Sequence, residues 1–344
     1  MRPRTSAAAV IALCLGAVAT GCNADPTTTT ESDAASPVTD AAPTTRSAPA
    51  TTSPAALPTT VVPDTTAASS SVGGPDARLD PEHAAGLDGA GFAERVSASH
   101  ATMIDTAVDP AERAQAGVEH QLVLRELAGR PERDEEVLAT LGPVARSAVE
   151  PVVRARQFLQ QRSASRPPRP LPTELPAWTI VEPEPVDTLL GYYAEAEQLT
   201  GIAWYWLAAI HLQETRMGRI QGVSSAGAVG PMQFLPTTWA ACCTGDPTVT
   251  REAIIGAATY LSQSGGPDDM AAAVYQYNPN DGYVAVVTAY AESLRDEPEL
   301  YSGYHAYQVF FGTSAGTVRL PVGYSEAVPI DAASYLSEHP DDAA

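Results

Sequence analysis

The chain has 344 residues and a formal net charge of −21, with 20 basic residues, all of them arginine, against 41 acidic ones. So acidic a chain lacks the basic surface that nucleic-acid binding needs, and it offers no long-range attraction to anionic wall polymers or phospholipids. Four cysteines are too few for a stapled scaffold, so a packed core has to stabilise whatever domain is present.

Residues 1–22 read as a lipoprotein signal peptide. Arg2 and Arg4 give a positive start, and Ala7 to Val18 is an apolar run too short to be a comfortable membrane span. Ala19-Thr-Gly-Cys22 resembles a lipobox, with Cys22 as the residue to be lipidated. An exported protein on the outer face of the cytoplasmic membrane or in the cell wall, anchored by lipid at Cys22, is the expectation. Residues 23–80 form a linker of Thr, Ala, Ser, Pro and Asp. No aromatic residue occurs before Phe92, and so polar a segment buries too little to offset the entropy of ordering it.

Residues 88–165 predict a helical region. Phe92, Val96, Met103 and Ile104 keep helical spacing, and Asp109-Pro110 with Glu112 is a strong helix start. Val137, Leu138, Leu141 and Val144 predict another helix, and Val149 to Gln161 a last one. The region is either a small bundle packed on the C-terminal part of the chain or a semi-independent spacer. His100 and His120 read as packing or surface residues. Residues 166–184 are a Pro-rich connector.

Residues 185–328 predict one mostly helical domain, with helices over Leu189–Leu199, up to Glu214, from Pro236, over Ile254–Leu261, over Ala271–Tyr277 and from Tyr283. No alternating strand pattern stands out. Residues 329–344 are an acidic tail whose end is expected to be disordered. Cys242 and Cys243 are adjacent, and read better as buried thiols than as a vicinal disulfide. No further Cys or His stands nearby to complete a zinc site.

Leu207, Ile210, His211 and Glu214 share one helix face. A carboxylate there should have a raised pKa, from desolvation and from the negative end of the helix dipole before Gly218. A carboxylic acid kept protonated near neutral pH suits glycosidic bond cleavage. Glu214-Thr-Arg-Met-Gly218, Ser224-Ser-Ala-Gly-Ala-Val-Gly-Pro-Met-Gln233, and Tyr277-Asn278 followed by Tyr283-Val resemble the lytic transglycosylases of the soluble and membrane-bound murein types. The likeness spans about Val186 to Ala291, and the arginine bias suggests an actinobacterial lipoprotein member.

The resemblance implies a mainly α, lysozyme-like catalytic domain that cuts peptidoglycan glycan strands between N-acetylmuramic acid and N-acetylglucosamine. It implies Glu214 as the one acid/base, with Ser224, Met232, Gln233, Tyr277 and Asn278 lining the substrate groove. No cofactor is implied. No metal is expected either, since Ala241-Cys-Cys-Thr-Gly-Asp-Pro lacks the carboxylate series of a calcium loop. Asp246, Asp268, Asp269 and Asp281 read as solvated loop residues. Two rival readings are a muramidase of the same fold and a wall-binding lipoprotein without turnover.

Overall fold

A computed structural model describes residues 84–164, 167 and 170–344. The signal peptide with Cys22, and the linker to residue 80, lie outside the described residues.

Helix α1 (Gly89–Ile104) starts where Asp88 Oδ1 accepts the Gly91 N–H at 2.9 Å, and α2 (Pro110–Ala128) where Asp109 accepts the Ala111 N–H at 2.8 Å. Gly142-Pro143 then separates α3 (Asp134–Thr140) from α4 (Pro143–Ala164). The sequence pattern places that break near Val149, but Pro151 is accommodated inside α4 and the Gly-Pro pair is the stronger punctuation. Asp134 is fully buried and pairs with the buried Arg156, while Gln157 Nε2 donates to its other oxygen at 3.0 Å. That arrangement pins α3 to α4.

Next come α5 (Val186–Thr200), α6 (Trp204–Thr215), α7 (Pro236–Cys242), α8 (Thr250–Gln263), α9 (Met270–Tyr277), α10 (Asp281–Asp296) and α11 (Leu300–His305). Helix α10 is the hub: it packs on α6 along one side and on α4 along another. Ser293 of α10 donates to the Ala148 carbonyl of α4 at 3.0 Å. One buried cluster runs from Phe92, Leu127 and Val149 through Leu207, Ile210 and Val287 to Tyr304. Helices α1–α4 therefore share a core with the later helices. Where α2 crosses α11 the backbones nearly touch: a Cβ at Gly117 would lie 2.3 Å from the Gly303 carbonyl oxygen.

Three short antiparallel ladders accompany the helices, although no strand stands out in the sequence. Strands β4 (Val309–Thr313) and β5 (Gly316–Leu320) form a hairpin with Val309 opposite Leu320. Strand β1 (Glu174–Leu175) pairs with β6 (Ile330–Asp331), and β2 (Thr179–Ile180) with β3 (Ile220–Gln221). They enclose a second small core of Leu175, Trp178, Ile180, Val318, Leu320 and Tyr324.

The tail, expected to end in disorder, is built into this unit. Asp331 caps helix α12 (Ala332–Glu338), Tyr335 Oη donates to Asp342 Oδ2 at 2.9 Å, and the Ala344 N–H donates to the Thr317 carbonyl at 3.0 Å. Cys242 and Cys243, expected as thiols, form a vicinal disulfide: the chain leaves α7 at Cys243 in an extended conformation, which brings the two sulfurs together. Among the described residues no helix is long and apolar enough to cross a membrane.

Candidate active site

Helix α6 is buried almost all round, with Leu207, Ala208, Ile210, His211 and Leu212 inaccessible. It ends in three successive left-handed residues, Arg216, Met217 and Gly218, with φ of 54°, 60° and 86°. Such a run is strained for the two non-glycine residues and needs support from its surroundings. Arg216 supplies part of it by folding its buried guanidinium back onto the Leu212 carbonyl. Thr215 supplies more: its hydroxyl donates to the Pro231 carbonyl at 2.6 Å and accepts the Gly218 N–H at 3.1 Å. The end of α6 is thereby tied to the segment Ser224–Gln233.

Glu214 lies on the last turn of α6 and is half-buried. Tyr283 Oη donates to its Oε1 at 2.5 Å. Burial pushes the Glu214 carboxyl up to about 7, against the opposing pull of the Tyr283 hydrogen bond and the Arg216 charge. Tyr283 is placed by Asn280, whose Oδ1 accepts the Gly282 and Tyr283 N–H groups at 2.9 and 3.4 Å and starts α10. The Tyr283 phenol is itself held neutral, by burial first and then by the Glu214 charge.

Tyr277, at the end of α9, does not bond to Glu214. Its hydroxyl donates to the Met232 carbonyl at 2.6 Å, and its ring packs edge-on against Phe234 and Tyr260. Burial and then the charge of Glu214 raise its pKa, so the two groups share one environment. Asn278 follows as a half-buried C-cap, its N–H on the Val274 carbonyl at 3.0 Å.

The Met232 side chain is fully buried in the core, and its carbonyl is the group that accepts the Tyr277 hydroxyl. Gln233 is left-handed, with φ of 51°, and its Nε2 donates to the Gly230 carbonyl at 2.9 Å. Ser224 caps its own turn: Oγ accepts the Ala228 N–H at 3.0 Å. Gly230 is required where it stands, since its φ is +74° and a Cβ there would lie 1.8 Å from the Pro247 carbonyl oxygen.

Two hydrogen-bonded pairs thus share this environment, Tyr283 with Glu214 and Tyr277 with the Met232 carbonyl, and Thr215 ties the end of α6 to the Pro231 carbonyl next to Met232. Ser224, Gln233 and Asn278 sit on the segments that frame this cluster, each engaged with local backbone. Tyr283 and Thr215 were not singled out as site residues from sequence. Tyr283 has two signals in the sequence, its place in the Tyr283-Val part of the resembling motif and its position three residues after an Asn that suits an N-cap.

The other carboxylates of the region are occupied elsewhere. Asp246 accepts from Thr248, Asp269 caps α9, and Asp281 pairs with Arg162 at 2.6 Å; these and Asp268 are exposed. Among the described residues no group of three or more His, Cys, Asp or Glu lies together as a metal site.

A mainly helical fold carrying one desolvated carboxylic acid, gripped by a tyrosine, describes this centre. The membrane-bound lytic murein transglycosylase F of Thiobacillus denitrificans is 28% identical to the chain over 128 residues, a stretch that covers 35% of this chain and 27% of that protein. The chain therefore matches only about a quarter of that relative's length. No protein-family model matches the chain, and no solved structure matches it.

Proposed function

We propose that the protein is an exported lytic transglycosylase that cleaves peptidoglycan between N-acetylmuramic acid and N-acetylglucosamine. The observation that carries this reading is Glu214: a half-buried carboxyl whose pKa lies at about 7, held by one tyrosine, with no second carboxylate bonded to it among the described residues. The partial likeness to a lytic murein transglycosylase supports it.

Cleavage needs a proton for the leaving glycosidic oxygen and stabilisation of the cationic sugar carbon. Glu214, protonated, donates that proton. The neighbouring N-acetyl carbonyl of the substrate supports the cation in place of a second carboxylate. Glu214, now ionised, removes the proton from the muramic acid 6-hydroxyl, whose oxygen closes onto the sugar carbon as a 1,6-anhydro ring. One proton leaves Glu214 and one returns, so no water is consumed. The internal attack needs no second reactant to be recruited.

Tyr283 fits both halves of this cycle, because its hydroxyl donates to Oε1 and leaves the other carboxyl oxygen for the substrate. Ser224, Gln233, Tyr277, Asn278 and the Met232 backbone are proposed to frame the glycan. Attachment to the outer face of the membrane through lipid at Cys22, and an actinobacterial origin, complete the proposal on sequence grounds.

Mass spectrometry of wall digested by the purified protein tests it. Anhydromuramic ends are the expected product. Reducing ends would make the protein a muramidase, and undigested wall with retained binding would make it a binder.

A further inference from the structure

A cleft of about 340 Å³ opens between the first half of α2 and the β4–β5 hairpin, and Glu214, Tyr277 and Tyr283 are not among the residues that line it. That volume lies at the low end of small-ligand sites. Its walls are aliphatic: Ala114 and Val118 of α2 face Leu320, Pro321 and Val322. No aromatic ring lines it, so it lacks the platform on which a sugar stacks.

Its charged groups are Arg219, Glu182 and Arg319. Arg319 is already held by Asp342 at 2.7 Å. Arg219 is different. Its side chain is only 11% exposed, and burial lowers its pKa. Its Nη1 donates to Glu182 at 2.9 Å, Nη2 reaches the His305 carbonyl only at 3.4 Å, and the buried Nε meets no acceptor.

A desolvated guanidinium is under-satisfied when its one carboxylate partner is a side chain 72% exposed, as Glu182 is. A ligand carboxylate can replace that partner and form the planar two-point pair that arginine prefers. Since both arginines already face a carboxylate, the cleft has little excess positive charge. That favours a single carboxylate over a phosphate.

We propose that this cleft is a second binding site, which takes the carboxylate end of a short peptide with small aliphatic side chains. The aliphatic walls receive the side chains, and Arg219 receives the terminal carboxylate. Peptidoglycan carries peptides of this kind, and the assignment of the source rests on the proposed transglycosylase activity. Arg219 also belongs to the stretch of chain that joins Glu214 to the Ser224 turn, so one segment serves both sites.

Calorimetric titration of the full chain with diacetyl-L-Lys-D-Ala-D-Ala and with its C-terminal amide tests the proposal. The acid should bind, and the amide should bind about tenfold more weakly or worse, the loss expected for a charged hydrogen-bonded pair. Arg219→Gln should weaken the acid by a similar factor. Ala114→Trp, which fills the cleft from a half-buried position in the first turns of α2, should abolish binding while peptide-free glycan is still cut at the parent rate.

Absence of binding by the parent, equal binding of acid and amide, or undiminished binding in Ala114→Trp would overturn the site. Tri-L-alanine binding as tightly as the D-Ala-D-Ala peptide would overturn the wall source in favour of a protein C-terminus. Glu214→Gln should bind the peptide as the parent does. Failure of the parent to cut glycan would therefore count against the proposed activity and leave the cleft standing.

Discussion

Glu214 is subject to opposed influences, and their balance is testable. Burial raises its pKa to about 7, while Tyr283 and Arg216 favour the ionised form. Since the reaction starts from the protonated acid, turnover should fall as pH rises through about 7. Tyr283→Phe removes one of the influences that favour ionisation, so the alkaline limb of the pH–rate profile should move upward. The same variant should lose about 1 kcal/mol of stability. A limb that stays in place would show that Tyr283 does not set the acid.

Glu214→Gln should eliminate turnover and keep the fold. A carboxyl whose folded pKa exceeds its unfolded value favours folding at low pH. That stabilising contribution is lost between the unfolded value of 4.5 and the folded value of about 7. Above that window the ionised group costs on the order of 3 kcal/mol as an upper bound. The amide avoids this cost, so thermal melts should show the variant as stable as the parent, or more so, at pH 8. Lower stability there would mark Glu214 as an ionised, paired structural group.

At the scale of elements, the sequence made α6 legible. Its apolar positions recur at helical spacing, and Gly218 marks the turn beyond it. The contact that completes the carboxyl was not legible: Tyr283 reaches Glu214 across 69 residues, and only the packing of α10 on α6 decides that. The hairpin was missed for a local reason. Val309, Phe310 and Phe311 blur the alternation because the first two are both buried, one in each of two small clusters. The Ser224–Gln233 segment is held by a glycine at an unusual angle. Gly230→Ala should therefore cost at least about 2 kcal/mol, from the left-handed backbone and the contact with Pro247. A melting temperature equal to the parent's would mean that the loop moves freely.

Over the whole molecule, the helical stretch before residue 165 is a structural part of the unit that holds Glu214. Val152, Ala155 and Leu159 of α4 line one small pocket together with Val286, Ala289 and Tyr290 of α10. Removing residues 84–164 should leave a chain with no cooperative thermal transition, because the hub helix loses one of its faces. From sequence this region could be either a spacer or a bundle, since helical periodicity shows that a face is apolar and not what covers it.

Acid stability is also a property of the whole. Burial lowers the pKa of His100, His120, His211 and His305, of His120 and His211 to about 3. His120 and His211 therefore stay neutral in the fold and charge on unfolding, so stability should fall as pH drops below 6.5 and continue to fall toward 3. That trend runs against the contribution of Glu214. Urea midpoints at pH 7 and pH 4.5 should show the histidines prevailing, with the lower midpoint at pH 4.5.

The pairing of β1 with β6 bears on the order in which the chain can assemble. Residues near 175 are covered by residues beyond 309, and Tyr324 reaches the Pro176 carbonyl across 148 residues. Contacts of such separation form late, after the local helices have reduced the entropy of closing the loop. The edge of this second core near residue 175 must wait, uncovered, until residues beyond 309 are in place. Refolding should therefore show helix formation first and the burial of Trp178 in a later, slower phase. Loss of the last dozen residues should weaken that phase far more than it weakens the helices.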